Sequence, residues 1–312
     1  MKFKKILVPV DFSPDSKKAL EYAQLWGGEF GADITLLHVN TLFHKHFNKE
    51  AFAEEYRKIV AEQEQHIQKW MQEHAHLMLQ GSLNVELTQG ASAANEILKF
   101  ISTHHFDLVF MGTHGRTGAK HLLLGSVAEK VSRLSPVPVI TTHREMEKLD
   151  IQKILVPIDL SDNDKLLVRQ TIEIAKVFDA QIHLLHVIEH PSIDSFQWIT
   201  EDVKHYFEID DEKVKQLVEF MKTYVDDPTE VDIRYEVVQT GRAYQEIVHY
   251  AKENHIDLIT MVTRGFSKFE YFWTFGSTTE RVVCLAPCPV LAVRQNALQE
   301  KSSEIFENNE IN

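Results

Sequence analysis

Short apolar runs alternate with longer amphipathic segments along the whole chain. In the first half the apolar runs read ILVPV, ITLLHV, VELTQ, DLVFMG and PVPVI, at residues 6–10, 34–39, 85–89, 107–112 and 136–140. Most of these runs are almost continuously apolar, which is typical of strands buried on both faces of a parallel sheet. The segments between them predict helices near 15–28, 50–78 and 92–104 and from about residue 126. Such alternation is typical of a doubly wound α/β domain.

The second half of the chain repeats this order. Its apolar runs read ILVPI, IHLLHV, IRYEVVQ, DLITMV and PVLAV, at residues 154–158, 182–187, 233–239, 257–262 and 289–293. Four landmarks recur at a nearly constant spacing of 148 to 151 residues: Asp11 with Asp159, His38 with His186, Asp107 with Asp257, and Ser126 with Ser277. A repeat of this length predicts two copies of one domain rather than a solenoid.

We therefore predict an α/β protein of two tandem doubly wound domains, each with a five-stranded parallel sheet flanked by helices. The predicted bounds are residues 1–146 and 152–295. A short charged linker near 143–152 joins them. The polar, acidic and non-periodic segment 296–312 is predicted to be disordered.

Composition narrows the classes of function. The 312 residues carry a net charge of −13 and no long run of Lys or Arg, which argues against nucleic acid or an anionic membrane as a partner. No segment approaches the roughly 20 apolar residues that span a bilayer. The two cysteines, Cys284 and Cys288, lack the C-x-x-C spacing, and we expect them to be reduced and structural. These features favour a cytoplasmic protein.

A glycine-rich segment carries the strongest chemical signal. Gly112, Gly115, Gly125 and Ser126 follow a predicted buried strand and end where a helix is predicted to begin. Glycines let backbone N–H groups approach an anion, and the start of a helix offers further unpaired donors. Arg116 would add charge-assisted hydrogen bonds. The pattern favours a bound polyphosphate, with a plain surface turn as the alternative, and it matches neither the P-loop nor the dinucleotide fingerprint.

Two further residues are predicted to lie at the same edge of the sheet. Asp11 ends the first strand and Val39 ends the second. Ligands of open α/β sheets bind outside the carboxyl ends of the strands. The Asp11 carboxylate would either accept hydrogen bonds from ribose hydroxyls or cap the local turn. The backbone of Val39 would face the edge of a base.

These residues resemble the universal stress protein family in its tandem form. The spacing Gly112-x2-Gly115-x9-Gly125-Ser126 matches the family's G-x2-G-x9-G-[ST] pattern, and VPVD at 8–11 matches its first strand. The resemblance covers about residues 3–294. It implies an adenine nucleotide alpha hydrolase-like fold that binds ATP, with any Mg²⁺ carried by the phosphates. The implied binding residues are Pro9, Val10, Asp11, Val39, Met111, Gly112, Gly115, Arg116, Gly125, Ser126 and Val127.

The family also suggests how its domains associate. Its members commonly pair through the last strand of the sheet, here around residues 138–140. In a tandem chain this implies pairing of the two domains with each other, and it leaves a further homodimer open.

The second copy departs from the family pattern. Val262 stands in place of the first glycine, and ten residues rather than nine separate Gly265 from Gly276. Those ten residues are bulky and largely aromatic. We therefore predict that the first domain binds the nucleotide and that the second binds it weakly or not at all.

Histidines are abundant but do not predict a metal site. The pairs His44/His46 and His74/His76 lack the spacing of a structural or catalytic zinc site. His38 and His186 occupy matching positions in buried strands and are interpreted as hydrogen-bonded core residues. For His114, in the glycine segment, both a ligand contact and a structural role stay open.

The predicted function is that of a cytoplasmic stress-response regulator or scaffold which binds an adenine nucleotide and is not an enzyme beyond weak ATP hydrolysis. Two alternatives are a slow ATPase or nucleotidyl transferase, and an adaptor that holds no nucleotide. The segments near 42–78 and 190–225 are predicted to be amphipathic helices covering the sheets, with a lid or partner surface as the alternative.

Overall fold

A computed structural model describes most of the chain. The described residues are 3–41, scattered helical positions between 54 and 73, 81–114, 124–143, 146, 148–189, 211–227, 230–263 and 277–295. The chain divides into two compact units, one built mainly from Lys2–Ala119 and Gly125–Glu145 and the other from Met146–Asn312. The predicted acidic tail at 296–312 lies outside the described residues.

The first unit is a parallel sheet with helices between its strands. Its strands are β1 (Lys5–Pro9), β2 (Asp33–Asn40), β3 (Leu83–Gln89), β4 (Leu108–Gly112) and β5 (Val139–Thr142). Its bounded helices are α1 (Pro14–Phe30), α2 (Ala93–His104) and α3 (Ser126–Leu134). These strands pair in parallel, in the order β3-β2-β1-β4-β5.

The second unit repeats this order. Its strands are β6 (Lys153–Ile158), β7 (Gln181–Glu189), β8 (Ile233–Thr240), β9 (Leu258–Thr263) and β10 (Val290–Arg294). Its bounded helices are α4 (Asp162–Phe178), α5 (Asp211–Lys222), α6 (Ala243–Glu253) and α7 (Ser277–Leu285). The parallel order is β8-β7-β6-β9-β10. The predicted fold class is thus confirmed.

Burial explains why the central strands are so apolar. Ile6, Leu7 and Val8 of β1 are fully buried, as are Ile154, Leu155 and Val156 of β6. Side chains on both faces of these strands are buried, so no face remains for polar side chains. The outer strand β3 alternates half-buried and exposed positions along much of its length.

The chain order creates a switch point beside β1. The chain runs from β1 through β2 to β3 on one side, and then returns to place β4 on the other side of β1. β1 pairs with β2 at five positions, but with β4 at two, Ile6 with Leu108 and Leu7 with Val109. In open α/β sheets a ligand crevice opens at this place, outside the carboxyl ends of the strands.

An aspartate secures the opposite, amino end of each sheet. Asp107 accepts hydrogen bonds from the backbone N–H groups of Lys4 and Lys5, at 2.8 and 2.9 Å. Asp257 does the same for Gln152 and Lys153, both at 2.9 Å. These two landmarks of the sequence repeat therefore have a structural role, far from the carboxyl ends of the strands.

Among the described residues, no helix is both long enough and apolar enough to cross a membrane.

Candidate functional site

A cavity of about 310 Å³ opens at the carboxyl ends of the first sheet. Its walls come from the ends of β1, β2 and β4, from the first turns of α1 and α3, and from one face of α2. The residues that line it are Pro9, Val10, Asp11, Ser13, Ser16, Leu37, His38, Val39, Thr41, Ala93, Ile97, Met111, Gly112, Thr113, His114, Gly125, Ser126, Val127 and Ala128.

A tight turn carries the chain from β1 into α1 at one wall of the cavity. Oδ1 of Asp11 accepts a hydrogen bond from the backbone N–H of Ser13 at 3.0 Å, which forms an Asx-turn. Phe12, between them, adopts the left-handed conformation with φ 66°. Ser13 then caps α1, accepting from the N–H of Ser16 at 3.2 Å. The predicted turn-capping role of Asp11 is confirmed, and its carboxylate also lines the cavity, while the contact with ribose hydroxyls stays a prediction.

His38 ties the ends of the first two strands together. Its ring is buried, and Nδ1 lies 2.7 Å from the carbonyl oxygen of Val10. A carbonyl can only accept, so Nδ1 carries the proton. The predicted role of His38 as a hydrogen-bonded core residue is confirmed, and the cavity's rim gains a fixed backbone geometry.

Gly112 allows helix α1 to approach the end of β4. A Cβ placed on Gly112 would lie 2.7 Å from Cβ of Asp15 and 2.9 Å from the backbone nitrogen of Ser16. Distances this short force a backbone shift, so a side chain here would move the first turn of α1. The first glycine of the segment is therefore required by packing between two parts of the chain that are 97 residues apart.

The Asp15 carboxylate reaches across this contact into the glycine segment. It is 4% exposed, and its Oδ2 lies 3.0 Å from the backbone N–H of His114 and 3.3 Å from the hydroxyl of Thr113. Nδ1 of the His114 ring is also 3.3 Å from the same oxygen. A buried carboxylate needs such donors, and here they come from the residues that immediately precede Gly115.

The start of α3 forms the far wall. Gly125 is its N-cap, and the N–H of Gly125 donates to the carbonyl of Thr113 at 2.8 Å. A Cβ on Gly125 would lie 2.9 Å from that carbonyl oxygen. Ser126 and Val127 follow in the first turn and line the cavity. The first N–H groups of a helix have no partner within the helix and carry a partial positive charge, so this wall suits an anion.

Nine of the eleven residues predicted to bind the nucleotide line this one cavity: Pro9, Val10, Asp11, Val39, Met111, Gly112, Gly125, Ser126 and Val127. Gly115 and Arg116 lie outside the described residues. That these residues hold a nucleotide stays a prediction.

Several lining residues were missed by the sequence reasoning. Thr113 and Ala128 adjoin predicted residues, so their positions alone were a usable signal. Ser16 comes from the first turn of α1, whose side chains the motif does not include. Ala93 and Ile97 come from α2, whose apolar face gave no sign that part of it borders a cavity. Thr41 lies just past the end of β2, where a strand-end rule would have found it.

The comparisons with known proteins follow the same division into two copies. A model of the universal stress protein family matches the chain twice, at residues 2–143 and 150–294. The chain belongs to the universal stress protein family. Its predicted tandem form is confirmed, since the two matches do not overlap.

Two relatives in sequence each match about half of the chain, and a solved structure matches nearly all of it. A universal stress protein of Methanocaldococcus jannaschii is 31% identical over 143 residues, a match that covers 46% of this chain and 83% of that protein. Universal stress protein YxiE of Bacillus subtilis is 32% identical over 146 residues, covering 44% and 97%. A crystal structure of a universal stress protein from Archaeoglobus fulgidus has a TM-score of 0.67 at 21% identity, covering 95% of this chain and all of that one. This likeness establishes the fold.

The second universal stress protein domain arranges its strand end differently. Asp164 takes the place of Ser16, and its buried Oδ2 accepts from the N–H groups of Asp159 and Ser161 at 2.8 and 3.1 Å. Burial, and then the neighbouring carboxylate of Asp159, raise the pKa of Asp164 to about 7. The carboxylate of Asp164 thus occupies two backbone N–H donors at the end of β6.

Two more residues at this strand end differ between the second domain and the first. Glu189 stands where the first domain has Thr41, and its carboxylate accepts from the N–H of Ala243 at 2.6 Å at the start of α6. Val262, at the end of β9, replaces Gly112. At the corresponding place the second domain therefore has the added carboxylate of Glu189 and a bulkier strand end, and both disfavour a polyphosphate.

Aromatic rings pack beside the first-domain cavity. The ring of Phe12 lies 4.8 Å from the ring of His38, 5.5 Å from that of His66 and 5.7 Å from that of Trp70. His66 and Trp70 are among the described helical positions between 54 and 73. His66 and Trp70 therefore pack against the turn after β1, and the role of the segment near 42–78 stays a prediction.

Within the described part of the chain, no group of three or more His, Cys, Asp or Glu side chains is arranged to hold a metal ion. His44, His46, His74 and His76 lie outside that part. Cys284 and Cys288 are not joined in a disulfide.

Proposed function

We propose that the first domain binds ATP or another adenine nucleotide in the cavity at the carboxyl ends of β1, β2 and β4. The observation that carries the proposal is that nine of the eleven residues implied by the family pattern line this one cavity, at the switch point of the sheet. The family membership supports it, because the matching glycine pattern lies in the first copy.

Each part of the cavity suits one part of such a ligand. The apolar walls, including Leu37, Val39 and Ile97, offer a surface for a planar base. Asp11 offers carboxylate oxygens that accept hydrogen bonds from ribose hydroxyls. The start of α3 and the backbone around Gly125 offer N–H donors for phosphates. No lysine or arginine lines the cavity among the described residues, so backbone groups there would carry much of the phosphate recognition.

We further propose that the nucleotide serves as a bound signal and not as a rapidly consumed substrate. The protein would then act as a stress-response regulator or scaffold whose conformation or partners depend on occupancy. Any Mg²⁺ would arrive on the phosphates, since Mg²⁺ takes few protein ligands in such sites. Turnover slower than about 1 per minute fits this role, whereas typical enzymes reach ~10 per second.

The test is to denature freshly purified protein, quantify the released nucleotide, and titrate the emptied protein with Mg-ATP. Gly125→Ala places a methyl group 2.9 Å from the Thr113 carbonyl oxygen and should abolish retention. Gly241→Ala is the matched control, because nothing lies within 4 Å of a Cβ at that position. Nucleotide in the wild type and control but not in Gly125→Ala supports the proposal. Wild-type protein that holds no nucleotide and gives a flat titration contradicts it, and favours the adaptor.

A further inference from the structure

Four side chains form a chain of hydrogen bonds near the amino ends of β7 and β8 in the second domain. Gln181 opens β7, Asp232 directly precedes β8, and Nε2 of Gln181 donates to Oδ2 of Asp232. The other polar atom of that amide, Oε1, lies 2.7 Å from Nε2 of His183. Nδ1 of His183 in turn lies 2.9 Å from the hydroxyl of Tyr250, so the chain of bonds ends on helix α6.

Each bond in this chain has a fixed direction while His183 is neutral. A carboxylate only accepts, so the amide nitrogen of Gln181 faces Asp232 and the amide oxygen faces His183. The amide oxygen also only accepts, so the proton of the His183 ring is on Nε2. Nδ1 is then an acceptor, and the hydroxyl of Tyr250 donates to it. The neutral ring thus connects β7 to α6 through side chains.

A second proton on the ring would disturb this connection. It would turn Nδ1 into a donor that faces the O–H group of Tyr250, which then has to turn its hydrogen away. It would also place a positive charge on His183, which is 1% exposed. The two rings pack edge to face with their centroids 5.8 Å apart, so the charge would lie against an apolar surface of α6.

The charged groups around His183 do not compensate for such a charge. The cations that act on the ring are Arg234 on β8 and Lys153 at the start of β6, and the anions are Glu236 on β8 and Asp232. Arg234 and Glu236 pair with each other at 2.6 Å. Burial is the largest effect and the two cations follow, so the pKa of His183 is lowered to about 4.

The first domain closes the corresponding place without a histidine. The residues that stand at the positions of Gln181, His183, Asp232 and Tyr250 are Asp33, Thr35, Ser82 and Phe100. In that domain the N–H and the hydroxyl of Ser82 donate to Oδ1 of Asp33, at 2.9 and 2.7 Å. Phe100 has no hydroxyl with which to bond α2 to the strand. The histidine and the tyrosine are therefore a pair that belongs to the second copy.

We propose that His183 is an acid-sensitive switch in the second domain: protonation of its ring breaks the bond from Tyr250 and shifts α6 toward a state detached from β7. The switch does not depend on nucleotide binding. It gives the second domain a response to acidification that Thr35 and Phe100 cannot give to the first.

The sign of the effect follows from the lowered pKa of His183. Its contribution to stability is fully present above about pH 6.5 and is lost as the pH falls through about 4. Detachment of α6 exposes the ring and returns its pKa to the usual 6.5. Detachment should therefore become about 20-fold more favourable between pH 7 and pH 5.

Amide hydrogen exchange of the nucleotide-free chain at pH 7 and pH 5, corrected for the intrinsic pH dependence of exchange, tests the switch. Protection of the α6 amides should fall about 20-fold more than that of the α2 amides, which serve as the reference within the same molecule. His183→Thr, which introduces the residue of the first domain, should remove the difference. His249→Asn is the matched control, since His249 lies exposed on the same helix, and it should behave as wild type. Equal falls for α6 and α2 in wild type, or an α6 fall that persists in His183→Thr, would overturn the switch.

Two further measurements decide the matter if His183→Thr does not fold, as judged by circular dichroism. Tyr250→Phe removes the donor that favours the neutral ring, so the extra fall in α6 protection should be smaller than in wild type. Nitrogen-15 NMR of the wild-type imidazole at pH 7 should show the proton of His183 on Nε2 and none on Nδ1. A proton on Nδ1 at pH 7, or an undiminished fall in Tyr250→Phe, would contradict the proposed bond and with it the switch.

Discussion

The imidazole of His38 donates from Nδ1 to the carbonyl oxygen of Val10 at 2.7 Å, and so closes the end of β1 onto β2. The second domain repeats the bond, with His186 donating to the carbonyl of Ile158 at 3.0 Å. The histidine in each LLHV run is therefore a structural clamp at the strand end, and in the first domain the clamp forms part of the cavity wall.

His38→Ala should destabilise the protein, because it leaves the Val10 carbonyl without this donor and removes a buried ring. The expected loss in the free energy of unfolding is about 1–3 kcal/mol, measured by urea denaturation followed by circular dichroism. His186 is half-buried, so His186→Ala should cost less. Equal stability of His38→Ala and wild type would show that the clamp contributes nothing.

The aspartates at the amino ends of the sheets give a second prediction. Asp257→Ala removes the acceptor for two backbone N–H groups and for Lys148 Nζ at 2.7 Å, and should cost about 3 kcal/mol. Asp107→Ala should cost less, since Asp107 is more exposed than Asp257. Asp257→Asn, which keeps one accepting oxygen, should recover part of the loss. Thermal unfolding of the three variants measures their stability losses. A larger loss for Asp107→Ala than for Asp257→Ala would contradict the predicted role of Asp257.

The raised pKa of Asp164 predicts a pH dependence with a definite sign. The folded value is about 7 against 3.8 in the unfolded chain, so the native state binds more protons between these values. The contribution of Asp164 to stability is fully present below about pH 4 and is lost as pH rises through about 7. Asp164→Asn should therefore gain in melting temperature relative to wild type between pH 5 and pH 8.

The comparison with Asp164→Asn is needed because another group acts in the opposite direction. Burial lowers the pKa of His183 to about 4, so its contribution to stability is lost as pH falls from about 6.5 toward 4. His183 is unchanged in the variant, and its effect cancels in the difference. If the difference in melting temperature between wild type and Asp164→Asn stays constant from pH 5 to pH 8, the pKa of Asp164 is not raised.

Gly31 and Asp179 offer a reciprocal exchange between the two copies. Both follow the first helix of their domain in the left-handed conformation, with φ of 57° and 52°. Glycine adopts this conformation without strain, so Asp179→Gly should stabilise and Gly31→Asp should destabilise, each by about 0.5–1 kcal/mol. A Cβ at Gly31 would meet nothing nearer than Lys4 Nζ at 4.0 Å, so backbone strain is isolated from packing. Urea denaturation of both variants measures the change in the free energy of unfolding. Changes of the same sign in the two variants would contradict the prediction.

The differences between the two strand ends predict the stoichiometry. Asp164, Glu189 and Val262 replace Ser16, Thr41 and Gly112 at the corresponding positions, so one nucleotide should bind per chain. Calorimetry with Mg-ATP measures this number directly. Two sites of equal affinity would show that the altered second domain still accepts the ligand.

The strands could be predicted from the sequence because their burial leaves almost no polar positions. Predicted and observed bounds differ by at most three residues, as for β1 at 6–10 against Lys5–Pro9 and β5 at 136–140 against Val139–Thr142. The ends differ because hydrogen bonding and not apolar character decides where a strand stops. The start of α1 follows from residue type, since serine is a favoured N-cap and Ser13 accepts from the N–H of Ser16.

The contacts that require particular residues at the candidate site could not be predicted in the same way. Gly112 was assigned to the ligand from the motif, yet its missing side chain is required by Asp15 across 97 residues. The sequence does not distinguish Asp15 from any other carboxylate in the first turn of a helix, because local spacing does not encode the direction in which a side chain points. Asp164 was overlooked for the same reason, although a carboxylate beside Asp159 could have suggested a shared charge.

The short pairing between β1 and β4 has a mechanical consequence. Two paired positions hold this seam, and the strand ends beyond them border the cavity. A nucleotide bound there would contact both strands and hold them together where the first sheet has its fewest paired positions. Amide hydrogens of β1 and β4 should then exchange more slowly in the bound protein than in the empty one. Nucleotide occupancy would in this way set the rigidity of the surface that the first domain presents to a partner protein.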